Sequence, residues 1–155
     1  MPQISYLFLN VIMKGVRRKA REDALQILYQ LDLNNDLSVE TALRHFENLY
    51  SQNKTGIDEF TRRLVVGVGE NVIEIDEKIR SISENWRPER MAAVDRNILR
   101  LGAYELLFCR DIPATVTLNE MVEISKEFGS ETTPSFVNGV LDRIKEKFPQ
   151  TSKAE

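Results

Sequence analysis

Apolar residues recur along this chain at the helical period, and short clusters of turn residues separate the stretches. Ala20, Ala24, Ile27, Leu28 and Leu31 form one stripe, which "LNNDLS" ends. Ser38 is placed to cap a second helix carrying Ala42, Leu43, Phe46 and Leu49. A third helix is expected from Asp58 through Phe60, Leu64, Val65 and Val68, weakened by Gly67 and Gly69. "NVIEIDEKIRSIS" reads as a fourth, before Pro88 biases Arg87 away from helix. "VDRNILRLGAYELLF" is the most apolar segment and is expected at the centre of the fold. Thr117 and Glu120 have the T-x-x-E spacing of a capping box for "LNEMVEISKEF", with Gly129 at its end. Thr133 and Pro134 open the last helix, which Pro149 stops. Strand alternation with hairpin turns is absent from the pattern. The expectation is an all-α fold of about seven helices in two packed bundles, with a seam near residues 71–76.

Composition narrows the class without changing this picture. A chain of 155 residues with 42% hydrophobic and 29% charged content is an ordinary globular domain. We divide it into an N-terminal extension 1–13, a single helical domain 14–150 with subdomains 14–72 and 73–150, and a tail 151–155. "MPQISYLFLNVI" lacks the basic start and cleavage site of a signal peptide. "MKGVRRKAR" resembles a natural start, so residues 1–12 are expected to be a mis-called extension. No apolar run reaches the ~18 residues of a membrane span. Cys109 is the single cysteine, so no internal disulfide forms, which fits a reducing cytoplasm.

Catalytic chemistry finds little support. "GVGENV" lies in a helical pattern with no preceding strand, so it is not a dinucleotide loop. His45 is the one histidine, and with one cysteine it cannot build a usual zinc site. Cys109 follows an apolar run and reads as a small buried filler. We expect no enzyme, no metal and no cofactor.

Charge gives the informative signal. Lys14, Arg17, Arg18, Lys19 and Arg21 fall within eight positions that hold no acid. The remainder carries 16 basic residues against 24 acidic ones, so a net charge of −3 conceals segregation. At a helix start such cations oppose the macrodipole, each at about 0.3–1 kcal/mol. An incoming phosphate reverses the sign, because free backbone N–H groups and guanidinium forks converge on it. The alternative is a solvated basic turn neutralised by Glu22 and Asp23. Overall acidity favours a local footprint on single-stranded nucleic acid, where an aromatic side chain could stack on a base.

"RRKAREDALQILYQLDL", "RMAAVDRNILRLGAYELLFCRDIP", "LNEMVEISKEFG" and "FVNGVLDRI" together resemble the NusB family of bacterial transcription antitermination factors, over about residues 14 to 148. The resemblance implies a two-bundle helical fold and binding to boxA, a single-stranded element of ribosomal RNA leader transcripts. It implies NusE, also a small-subunit ribosomal protein, as co-binder. NusA, NusG and RNA polymerase follow through the antitermination complex. The arginine-rich motif maps onto Arg17, Arg18, Lys19 and Arg21, and the RNA-contacting phenylalanine of "FVNG" onto Phe136. Phe136 also shares helical spacing with Val140 and Ile144, which is a core pattern. The NusE-contacting positions map onto Tyr29, Glu89 and Asp95. Asp95 could equally be a helix N-cap, and Tyr29 a half-buried aromatic at the stripe's edge. Thr132 stands where some relatives carry Asp, and Lys19 where arginine is frequent. The family includes monomers and dimers, so a homodimer is among the implied assemblies. Two rival readings are the RNA-binding module of a ribosomal RNA cytosine methyltransferase and a purely structural helical protein. The chain ends at "KAE" with no methyl-donor fold, which counts against the first.

Overall fold

A computed structural model describes the backbone of residues 2–50 and 56–150, and the side chains of 15–49 and 56–150. Among the described residues every regular element is a helix: α1 (Pro2–Leu33), α2 (Val39–Tyr50), α3 (Glu59–Ile82), α4 (Ala93–Phe108), α5 (Ala114–Phe128) and α6 (Thr133–Lys147), with a 3-10 turn at Pro88–Arg90.

The boundaries follow local chemistry. Ser38 Oγ accepts from the Thr41 amide at 3.1 Å and starts α2, while Asp58 Oδ1 accepts from the Phe60 amide at 2.7 Å and starts α3. Pro134 sits in the first turn of α6, where its missing N–H costs nothing. Three expectations are corrected. The third and fourth helices are one continuous α3, which runs through the seam expected at 71–76. Among the described residues six helices replace about seven, and α3 packs on α1, α2, α4 and α6. Gly67 does not interrupt α3 but receives Tyr104: a Cβ there would lie 2.1 Å from Tyr104 Cζ. The third correction concerns α5, which starts at Ala114 after "DIP". Thr117 and Glu120 therefore lie inside the helix and are buried, so they form no capping box.

α4 is the central rod, packed by α1, α3, α5 and α6. Ile98, Leu99, Leu101 and Ala103 are fully buried on it. Gly102 lets α6 approach, since a Cβ would meet Leu141 Cδ1 at 2.6 Å. The stripe Ala20, Ala24, Ile27 and Leu28 fixes α1 against this core, and Thr61 Oγ1 of α3 donates to the Ala20 carbonyl at 3.0 Å. Burying a Leu or Ile side chain stabilises by about 1.5–3 kcal/mol. This apolar face therefore sets the orientation of α1, and with it the basic residues of the same helix. Cys109 is buried at the end of α4, as expected.

Candidate nucleic-acid and partner interface

Helix α1 begins at Pro2, so the basic cluster lies well inside a helix rather than at its start. The macrodipole acts within the first turn, and amides beyond it are spent on i−4 carbonyls. The expected convergence of free amides with guanidinium groups is therefore absent. What remains is side-chain charge, and α1 distributes it unequally.

Arg21 is only 1% exposed. Its Nε donates to Glu105 Oε2 at 2.7 Å and its Nη2 to Glu105 Oε1 at 2.9 Å. Thr117 Oγ1 adds a third donation to Glu105 Oε1 at 2.9 Å. This triad of α1, α4 and α5 corrects the assignment of Arg21 as a phosphate contact: its guanidinium is almost wholly buried and is neutralised by Glu105. One turn earlier, Arg18 donates from Nε and Nη2 to the buried Glu120 at 2.7 and 3.1 Å. That bond is the main reason the Arg18 guanidinium holds its proton more tightly than usual. Arg18 stays partly exposed and keeps three of its five N–H donors. It lies on a groove of about 570 Å³ with Asn119, Val122, Glu123, Pro134, Ser135 and Asn138.

Lys19 is exposed and pairs with Asp23 one turn on, at 2.9 Å, an arrangement of little energetic weight. Arg17 is exposed, and its guanidinium carbon lies 4.4 Å above the Phe60 ring centroid. No ion pair joins Arg17 to a carboxylate among the described residues. The Lys14 side chain lies outside the described residues. The aromatic directly against the cluster is thus Phe60. Phe136 is on the surface at 42% exposure, while Val137, Val140, Leu141 and Ile144 fill the core side of α6. That removes the core reading of Phe136. It neighbours Ser135 in sequence but does not line the Arg18 groove.

The residues expected at a protein interface lie beyond the other end of this α1 segment. Tyr29, 39% exposed, lines a depression of about 310 Å³ with Leu25, Gln26, Gln30, Val94 and Phe128. Asp95 follows Val94 in the first turn of α4, whose N-cap is Ala92, so the N-cap reading of Asp95 is set aside. Its Oδ1 accepts instead from Thr133 Oγ1 at 2.9 Å, joining the starts of α4 and α6. Glu89 is exposed in the 3-10 turn. That turn is held by Arg96, which donates to the Pro88 and Met91 carbonyls and to Asp32 at the end of α1. Arg100 adds a bidentate pair with Asp76 of α3 at 2.9 and 2.8 Å.

Sequence reasoning missed Glu105, Glu120 and Phe60. Glu105 carried a signal, being the one acid of the most apolar helix beyond its first turn, where an unpaired carboxylate would be prohibitive. Glu120 was hidden by its capping-box spacing.

The chain matches the NusB family over residues 18–146. It is 46% identical over 132 residues to the transcription antitermination protein NusB of Myxococcus xanthus, covering 84% of this chain and 94% of that protein. With NusB of Bacillus licheniformis it shares 47% identity over 129 residues, 83% of this chain and 95% of the other. Among solved structures, T. maritima NusB superposes with a TM-score of 0.78 at 38% identity, over 88% of this chain and 95% of that one. A crystal structure of the antitermination factors NusB and NusE in complex with double-stranded RNA superposes with a TM-score of 0.72 at 28% identity, over 85% and 97%. The α1 cations, the α4 acid pairs and these similarities over most of the chain agree: the chain belongs to the NusB family.

Proposed function

We propose that this protein is a transcription antitermination factor that binds boxA RNA of ribosomal RNA leader transcripts together with NusE. The observation that carries the RNA part is the row of Arg17, Arg18 and Lys19 on the solvent side of α1, with Arg18 opening onto the α5–α6 groove. Arginine and lysine supply phosphate contacts, while Asn119, Ser135 and Asn138 add neutral hydrogen-bonding groups of the kind that meet base edges. Arg17, Arg18 and Lys19 are the phosphate contacts, with Lys14 as a further one. Phe136 offers a stacking surface on the first turn of α6. A similar structure that holds NusB, NusE and RNA supports the pairing of ligands.

Tyr29, Glu89 and Asp95 form the NusE face. Its acidic groups beside an apolar depression suit a basic ribosomal protein. NusA, NusG and RNA polymerase join through the assembled complex. The role is one of binding, and no described helix is long and apolar enough to cross a membrane.

The test is fluorescence anisotropy with a boxA RNA, alone and with NusE, against a duplex competitor of equal length. The reading expects single-stranded boxA to be preferred, tighter binding with NusE, and weaker binding for Arg17→Ala. An RNA affinity indifferent to NusE, to strandedness and to Arg17 would overturn it.

A further inference from the structure

Beside Arg17 lies a second cleft, distinct from the Arg18 groove. It has a volume of about 330 Å³, and Ile112, Pro113 and Val116 of the α4–α5 corner give it an apolar wall. Arg17 and Asp111 also line it, and Arg21 and Glu120 complete it. The last two are almost wholly buried and paired, with Glu105 and Arg18, whereas the Asp111 side chain is about half exposed at 52%. The cleft thus offers an apolar wall, one cation and one carboxylate. Its size is at the small end of ligand sites, which run from about 300 Å³.

Both charged groups are held in place. Arg17 lies over Phe60 on one face, which leaves its other face for a second planar group. Asp111 is gripped by Arg63, whose Nη1 and Nη2 donate to Oδ2 and Oδ1 at 2.9 and 2.6 Å. Each carboxylate oxygen has a further lone pair, so Asp111 can still accept. The Arg63 bonds hold its carboxyl down at about 2, so it is a pure acceptor at neutral pH.

We propose that this cleft receives one base of the bound RNA and selects a base with an exocyclic amino group over uracil. The inference rests on the RNA-binding reading above. The base stacks against Arg17 and the Val116–Pro113 wall. Its amino group donates to Asp111. Cytosine N4 presents a donor there, whereas uracil O4 presents an acceptor and meets carboxylate lone pairs. Arg17 is thus both a phosphate neighbour and a stacking plane, a combination that lysine could not supply.

The experiment compares 12-nucleotide oligo(C) and oligo(U), with boxA RNA as a third probe, by anisotropy at low salt. Wild type is expected to bind oligo(C) about two- to tenfold more tightly, the size of one solvent-accessible hydrogen bond. Asp111→Asn, whose amide can donate to uracil O4, should bring the ratio close to one. Val116→Trp should do the same by filling the cleft from an exposed position, with folding checked by circular dichroism. Equal affinities in wild type, or a preference that survives in both variants, while boxA RNA still binds, overturn the cleft alone. Failure of all three RNAs to bind overturns the RNA reading and this inference with it.

Discussion

Arg21→Met separates a folding role from a binding role within a single basic motif. The substitution keeps a long unbranched side chain and removes the charge. Glu105, wholly buried, then loses both guanidinium hydrogen bonds while the Thr117 hydroxyl stays in place. Removing one member of a buried ion pair costs about 3–5 kcal/mol, because the other charge is stranded in the core. For a chain of this size a thermal midpoint moves roughly 2–4 °C per kcal/mol, which gives a fall of roughly 6–20 °C. Circular dichroism melting measures it, with urea titration as a second axis. Pairing the change with Glu105→Met should recover most of the loss, since an apolar replacement of a whole buried pair is often neutral or better. The Thr117 hydroxyl can then turn to the Pro113 carbonyl one turn back. RNA affinity, measured well below the lowered midpoint, should keep its salt dependence. A variant that melts like wild type while its salt slope falls by about 0.7, the value of one single-strand phosphate contact, would refute the argument and return Arg21 to the RNA.

Four further outcomes follow from the geometry. Arg17→Ala should lower the salt slope by about 0.7, and Arg18→Ala by less, since Glu120 already neutralises Arg18; Glu120→Gln should raise the slope and the affinity. Asp95→Ala should weaken NusE binding more than RNA binding, measured by titrating each ligand separately; the reverse order would remove Asp95 from the protein face. Asp111 has a folded pKa of about 2, below the ~3.9 of an unfolded aspartate. Its contribution is therefore complete above about pH 4 and is lost as the pH falls towards 2. Wild type should lose more thermal stability than Asp111→Asn between pH 5 and pH 2.5, and parallel losses would contradict the Arg63 pair. Gly67→Ala should destabilise by about 1–3 kcal/mol in urea titration, because its methyl would overlap the Tyr104 ring.

What could be read before the structure was the part governed by local rules. The Ser38 and Asp58 starts, the Pro134 start and the α1 stripe depend on residues within a turn or two of each other. The errors arose where distant residues decide. Gly67 looks like a helix weakener until Tyr104 is seen to need its space. Thr117 and Glu120 look like a cap because their spacing suits one, yet their partners are Glu105 and Arg18. The candidate site divides in the same way. The basic residues are visible as a cluster, but how far Arg21 and Arg18 are neutralised depends on carboxylates 84 and 102 residues away. The position of the cluster relative to the helix start was also misjudged, because the apolar opening segment continues the same helix.

The uninterrupted α1 carries both Arg17 and Tyr29. Twelve residues at the α-helical rise place them about 18 Å apart along the axis and about a third of a turn apart around it. The helix is a ruler with two marks on different faces. Two ligands seated at those marks do not contest the same space, and neither can shift relative to the other without bending the rod or unseating its apolar stripe. Any gain that one ligand confers on the other must be returned in equal measure. A chain that holds its marks at a fixed distance and angle can measure whether an RNA and a protein arrive with matching geometry, and it needs no moving part to do so.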